Sequence, residues 1–153
     1  MTTLAQRITS AIPEFCMSHW LIRIPLIIVF LQQGISKLPF TVEDAEAMDL
    51  PALVWWFVVY GEIGAGIGLA VGGIVIVKAL KELQDLITRF SGIVICSIMT
   101  GVIWTLEPEN LWTFMIDDPF HVMLWVGGLF FALRGNRIYL ENKREKSTAK
   151  DNL

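Results

Sequence analysis

The fold is decided by residues 51–77, which read PALVWWFVVYGEIGAGIGLAVGGIVIV. A helix needs about 20 consecutive, mostly apolar residues to cross a ~30 Å hydrocarbon core. This stretch is longer than that, and its only ionisable side chains are Tyr60 and Glu62. Its leading proline suits a first helical turn, and the pair of tryptophans that follows suits the membrane interface. The pattern therefore predicts a transmembrane helix.

Three further apolar runs lie at residues 19–38, 86–106 and 119–133. Of the 153 residues, 54% are hydrophobic and 18% are charged, which is unlike the balance of a soluble domain. The four runs leave little chain for a water-soluble module. We expect an all-α fold, a four-transmembrane-helix bundle with an N-terminal interfacial helix.

The charged residues predict the orientation of this bundle. The connections after the first and third runs are acidic and contain no Lys or Arg, whereas most of the twelve basic residues flank the other ends of the runs. By the positive-inside rule both termini are cytoplasmic, which requires an even number of spans. The net charge of −3 gives no support for a nucleic-acid partner.

The two flanks of the membrane domain, residues 19–134, differ in pattern. Residues 1–18 carry apolar side chains at helical spacing, which is typical of a short helix lying in the membrane interface. Residues 135–153 are polar, mixed in charge and without apolar periodicity, so we expect a solvated cytoplasmic tail.

Glu62 is the main functional candidate, because an ionisable residue inside a span is a functional hypothesis by default. The first run places polar groups on one face at i, i+3 and i+4 spacing, from Arg23 to Gln33 and Lys37. With antiparallel spans, Lys37 and Gln33 are expected to face Glu62, whereas Arg23 lies nearer the cytoplasmic side, where it snorkels or meets another group. Glu62 and Lys37 are the catalytic candidates, and Gln33, Tyr60 and Arg23 are the candidates for substrate or quinone binding. The alternative is a purely structural ion pair that fixes how two helices dock.

Glycines indicate close helix packing in the second run. Gly64, Gly68 and Gly72 form two consecutive G-x-x-x-G steps on one face, and Glu62 lies on a different face. The second span is therefore expected at the centre of the bundle, although homodimerisation through the glycine face is an alternative. A stripe of small and polar residues in the third run also predicts a packing seam: Ser97, Thr100, Gly101 and Trp104.

The histidines and cysteines argue against an intrinsic metal centre. His19 and His121 begin the first and fourth runs, on opposite sides of the bilayer, so they cannot share one haem within a monomer. Cys16 and Cys96 form no cluster. We expect no metal and no intrinsic cofactor, so a partner protein or a bound quinone would carry electrons in any redox chemistry.

Two segments of the first half carry a recognisable pattern: residues 23–39 read RIPLIIVFLQQGISKLP, and residues 60–73 read YGEIGAGIGLAVGG. They resemble the DoxX family of small four-span bacterial and archaeal membrane proteins. The family typically shows an Arg, a Gly-x-x-Lys and then a Glu before glycines, which Arg23, Lys37 and Glu62 match. The likeness covers roughly residues 20–73. The long acidic first connection and the Trp-rich third connection depart from it.

The resemblance implies a location and a class of function. Some members are similar to a subunit of a thiosulfate:quinone oxidoreductase, and others are similar to accessory components of membrane redox complexes. We therefore expect a multi-pass subunit of the cytoplasmic membrane, in contact with lipid and with other membrane subunits or a second copy of itself, in quinone-linked redox metabolism. The alternative is a non-catalytic assembly or scaffolding subunit. A small-solute or proton carrier ranks last, because only one glycine-rich span is present where two broken helices are expected.

Overall fold

The computed structural model describes residues 18–74, 80–106 and 110–137. Within these ranges the chain is helical, contains no strand, and forms six helices: α1 (His19–Ser36), α2 (Val42–Ala47), α3 (Ala52–Gly73), α4 (Lys81–Thr105), α5 (Leu111–Asp117) and α6 (Pro119–Arg134). The N-terminal segment predicted to be an interfacial helix, and most of the predicted polar tail, lie outside the described residues.

Three of these helices, α1, α3 and α4, are each long and apolar enough to cross a membrane. Helix α6 is also apolar but has 16 residues, which span about 24 Å at 1.5 Å per residue. The described part of the chain is thus all-helical with three candidate spans and one shorter apolar helix. Helix α4 begins at Lys81, before the predicted residue 86, because its polar first turns continue the same helix.

The four apolar helices pack side by side. Helix α3 packs against both α1 and α4, and α4 packs against α6 on its other side, whereas the contact of α1 with α6 is much smaller. The core between them is apolar and includes these buried side chains: Leu26, Phe30, Leu69, Ile95 and Phe131. Each helix therefore presents its outer face to the surroundings, and many large apolar residues there are exposed, as expected for lipid contact.

Glycines set the close approach of α1 to α3. A Cβ atom at Gly34 would lie 2.9 Å from the backbone nitrogen of Ile63, so a larger residue would push the helices apart. On the opposite face of α3, Gly68 and Gly72 lie against Ser91 and Thr88 of α4. The first predicted packing glycine, Gly64, instead has open space where a Cβ would be.

The short helices mark one end of the bundle, which we call the α2/α5 end. Thr41 caps α2 by accepting a hydrogen bond from the backbone of Asp44, and Ala45 of α2 is buried against Trp55 and Val59. At the same end, Asn110 caps α5. The opposite end, where α1 begins and α6 finishes, we call the Arg23 end.

Candidate functional site

An ion pair between Lys37 and Glu62 joins the end of α1 to the middle of α3. Lys37 Nζ donates to Glu62 Oε1 at 2.5 Å and to Oε2 at 2.6 Å, so both carboxylate oxygens share one ammonium group. The Glu62 side chain is 4% exposed and the Lys37 side chain is 21% exposed. The carboxylate is therefore sealed inside the bundle, and the amine is its connection to the outside.

Local sequence explains how this pair forms. Lys37 is the first residue after α1, where the helical backbone ends and the long side chain is free to turn towards α3. Gly34, one turn earlier, allows the two helices to approach closely enough for the amine to reach the acid. The indole ring of Trp55, two turns before Glu62, lies 5.4 Å from Lys37 Nζ. This cation–π contact adds to the stabilisation of the partly exposed amine.

Two of the predicted site residues lie apart from this pair. Gln33 lines a small cavity together with His121 of α6, and no described hydrogen bond joins it to Glu62. Tyr60 is 43% exposed and its ring packs on that of Trp56, with the centroids 4.8 Å apart. The structure thus brings Lys37 and Glu62 together and places Gln33 and Tyr60 on other surfaces.

Arg23 lies at the opposite end of the bundle, fully buried. Its Nη1 donates to the backbone carbonyl oxygen of Leu69 in α3 at 2.6 Å, and its Nη2 donates to Asn136 Oδ1 at 2.7 Å. Thr88 Oγ1 of α4 accepts a longer bond at 3.4 Å, and the Phe131 ring lies 4.6 Å from the guanidinium carbon. The Arg23 side chain of α1 therefore contacts α3, α4 and α6, and also Asn136 just beyond α6.

Asn136 completes this network from just beyond α6. Its Nδ2 donates to the carbonyl oxygen of Gly72 at 2.7 Å, and its backbone nitrogen donates to Asp85 Oδ1 at 2.6 Å. Gly135 makes this possible because its φ of 53° lies in the left-handed region, which turns the chain back into the bundle. Asp85 also pairs with Arg89, which donates to carbonyl groups at the end of α6.

The acceptors around the Arg23 guanidinium are neutral. Among the described residues its hydrogen bonds go to a carbonyl, an amide and a hydroxyl oxygen, and the nearby acid Asp85 is bonded to Arg89 and to the backbone of Asn136 instead. The Arg23 side chain is fully buried. Its position fits the docking of helices, and the Lys37–Glu62 pair is the more accessible group for chemistry.

A family model for DoxX matches residues 19–108 of the 153. The chain belongs to the DoxX family. The resemblance seen in residues 23–39 and 60–73 is thereby confirmed, and the small size and apolar helices agree with a family of small membrane proteins. No curated protein and no solved structure matches this DoxX chain. The matched range contains Arg23, Lys37 and Glu62, whereas α5 and α6 lie beyond it.

Sequence reasoning missed the Asn136 network of this DoxX protein. The sequence pattern places Asn136 in the predicted polar tail, although a Gly-Asn pair directly after an apolar helix is a signal for a helix end. Asp85 lies one residue before the predicted third run, although an acid four residues before Arg89 suits one helical face. Thr88 has no distinguishing signal, because an isolated threonine in an apolar helix usually bonds its own backbone.

Proposed function

We propose that this DoxX protein is a subunit of quinone-linked redox metabolism in which the Lys37–Glu62 pair takes up and releases a proton. The observation that supports this is the pair itself, a sealed carboxylate held by one partly exposed amine within an apolar helix. Charged groups are costly inside a membrane and are rare there unless they serve a function. Quinone reduction takes up protons together with electrons, and quinol oxidation releases both.

The geometry suits proton exchange within the pair. At 2.5 and 2.6 Å, the ammonium group can pass a proton to either carboxylate oxygen with almost no movement of heavy atoms, which converts two charges into two neutral groups. The 21% exposure of Lys37 gives the proton a route in and out, and the burial of Glu62 keeps the carboxylate from exchanging with water directly. Lys37 is thus the entry group and Glu62 is the store.

The membrane arrangement that we propose has four spans in a bacterial or archaeal cytoplasmic membrane, with both termini in the cytoplasm. Helix α6 would complete its crossing by the snorkelling of Arg134. The α2/α5 end would then face outwards, with the ion pair in the outer half of the membrane. Fusions of alkaline phosphatase and of green fluorescent protein after residue 44 and after residue 137 test this: phosphatase should be active only at the first position and fluorescence should appear only at the second.

The redox proposal is tested in cells through the quinone pool. Deletion of the gene should shift the quinol-to-quinone ratio of extracted membranes, and the wild-type gene should restore that ratio. Glu62→Gln should fail to restore it at equal protein abundance, because the amide cannot accept the proton. Glu46→Gln, an exposed glutamate of α2, is the matched control and should restore it fully. Full restoration by Glu62→Gln would refute the proposal.

A non-catalytic assembly subunit is the second candidate function. It is favoured by the outer faces of α3 and α4, where Gly64 and Gly101 have open space beside them and Trp104 is 82% exposed. Small residues on a lipid-facing surface permit close approach of another helix. Reproducible co-purification with a larger enzyme in mild detergent, together with full function of Glu62→Gln, would favour this candidate over the redox proposal.

A further inference from the structure

The short helix α5, which precedes α6, has an outer surface of large apolar side chains. Trp112 and Ile116 are each 74% exposed, and Met115 is 50% exposed. Phe114 of the same helix is buried. At about 100° per residue the three exposed side chains fall within about 100° of one another, and Phe114 points well away from them. Helix α5 therefore has two apolar faces, of which the bundle covers only one.

The remaining side of α5 is polar. Thr113 and Asp117 lie about 40° apart around the helix and away from its exposed apolar face. Polar side chains also cap both helix starts here, Asn110 for α5 and Asp118 for α6. A helix with aromatic and aliphatic residues on one face and polar residues on another suits the boundary between lipid and water, where tryptophan is enriched.

Helix α2 lies at the same end of the bundle and is similarly short, but its exposed surface is different. It exposes three acids, Glu43, Asp44 and Glu46. Carboxylates are costly to remove from water, so this helix is suited to the aqueous side. The acidic first connection and the Trp-rich third connection, which both depart from the family pattern, thus suit different surroundings.

The exposed apolar face of α5 continues the outer surface of the helices that precede and follow it. Trp104 near the end of α4 and Leu106 directly after it are exposed. Phe120 and Met123, in the first turns of α6, are exposed as well. Helix α5 packs on α6. Its apolar face therefore adjoins the surface by which the apolar helices contact lipid.

The length of α6 indicates the depth of α5. In the four-span arrangement proposed above, the 16 residues of α6 cover about 24 Å of a hydrocarbon core of about 30 Å, which leaves about 6 Å. Only Asp118 separates α5 from α6. A helix in the membrane interface buries its apolar face about 5–10 Å into the boundary between headgroups and acyl chains. This depth matches the part of the core that α6 leaves uncovered.

We propose that α5 is an interfacial helix whose partner is the lipid surface. Trp112, Met115 and Ile116 insert into the acyl chains of the leaflet at the α2/α5 end, and Thr113 and Asp117 face the headgroups and water. The inference rests on the exposed face of α5, and the depth rests on the four-span arrangement. It does not depend on the redox chemistry of the ion pair.

Nitroxide labels on α5 test this surface in the full chain, reconstituted in phosphatidylcholine nanodiscs. Single cysteines replace Trp112, Ile116, Thr113 or Asp117 in a chain whose two native cysteines are changed to serine. Power saturation compares the collisions of each label with molecular oxygen, which concentrates in lipid, and with a nickel chelate, which remains in water. Circular dichroism checks that each variant keeps the helix content of the wild type.

Two labelled positions elsewhere in the chain are the references. Ile67→Cys, on the exposed face of α3, gives the oxygen-to-nickel collision ratio for lipid, and Glu46→Cys, in α2, gives the ratio for water. The ratio at positions 112 and 116 should be close to that at position 67. The ratio at positions 113 and 117 should be shifted towards that at position 46. A ratio like that of position 46 at all four positions would overturn the proposal.

Protection of positions 112 and 116 from both reagents would also overturn it, because protein rather than lipid would then cover the face. Spin–spin broadening between labels would in that case identify a second copy of the chain as the occupant.

The unlabelled chain gives a second readout. The difference in fluorescence between the wild type and Trp112→Phe isolates the emission of Trp112. Brominated phosphatidylcholine should quench this emission strongly, whereas iodide in the surrounding water should have little effect. The reverse pattern would place Trp112 in water and overturn the proposal. Neither readout involves quinones, so the quinone-pool assay decides the redox proposal separately.

Discussion

Replacement of Lys37 by methionine should destabilise the fold far more than replacement of its partner. Methionine has a similar length but no charge. The Glu62 side chain is 4% exposed, so Lys37→Met leaves a buried carboxylate without the hydrogen-bond donor that the described structure gives it. Removing one member of a buried ion pair typically costs about 3–5 kcal/mol of unfolding free energy. Because Lys37 retains some contact with solvent, we expect a cost of about 3 kcal/mol.

Replacement of Glu62 by glutamine should lower the unfolding free energy less than Lys37→Met does. In Glu62→Gln the amide oxygen still accepts a hydrogen bond from Lys37, and the partly exposed amine gains hydration, so the expected cost is about 1 kcal/mol. The double variant removes both charges and should cost about 2 kcal/mol, less than the two single costs combined. The resulting coupling energy is about 2 kcal/mol, well above the few tenths expected for independent sites.

Equilibrium unfolding of the purified protein in mixed micelles, titrated with sodium dodecyl sulfate and followed by circular dichroism, measures these free energies. Lys81→Met at the polar start of α4 is the control for loss of a lysine and should cost less than about 0.5 kcal/mol. Additive costs of the single variants, or equal costs for Lys37→Met and Lys81→Met, would refute the assignment of Lys37 and Glu62 as an energetically coupled pair.

Three further predictions concern other parts of the bundle. Gly92→Ala should lower the unfolding free energy by about 2–3 kcal/mol in the same assay, because its Cβ would lie 2.6 Å from a backbone carbonyl oxygen of α6. Gly64→Ala, which has open space for a Cβ, should be neutral or stabilising by up to about 1 kcal/mol. Equal effects of the two substitutions would contradict this packing of α4 against α6. Asn136→Ala removes an acceptor of Arg23 and a donor to α3, so the unfolding free energy should fall by about 2–3 kcal/mol; a change below about 0.5 kcal/mol would contradict a structural role. Desolvation raises the pKa of Asp118, but hydrogen bonds from His121 and its charge more than offset this, so the pKa in the folded protein lies below the ordinary value of 3.8. The contribution of Asp118 to the unfolding free energy is therefore complete above pH 3.8 and is lost as the pH falls through the lower pKa of the folded protein. Asp118→Asn should remove this pH dependence of the unfolding midpoint, and an unchanged profile would contradict the assignment.

Hydropathy alone was enough to locate the apolar helices, because the cost of exposing backbone groups to lipid leaves few other structures for such runs. The bounds of α1, α3 and α6 differ from the predicted runs by few residues. The third apolar run begins at residue 86, whereas α4 begins at Lys81, since the first turns of α4 are polar and hydropathy detects only the apolar part of a helix.

Of the contacts at the candidate site, only the pairing of Lys37 with Glu62 was predictable from the sequence. Helical spacing and depth were sufficient to expect Lys37 beside Glu62, because a flexible side chain near a helix end tolerates errors in rotation. The same spacing did not locate Gln33, whose shorter side chain remains on the side of α1 that faces α6. Helix rotation of a few tens of degrees decides such contacts, and it is set by side-chain packing that the sequence pattern does not encode.

The bond between Arg23 and Asn136 connects residues 113 positions apart, near the start of the first membrane helix and just after the last described one. A ribosome makes Arg23 long before it makes its amide acceptor. Until α6 and Asn136 have been synthesised and packed, this guanidinium lacks the full set of acceptors that it has in the finished protein. A chain that ends before Asn136 therefore carries a guanidinium that lacks one of the hydrogen-bond acceptors it has in the finished protein.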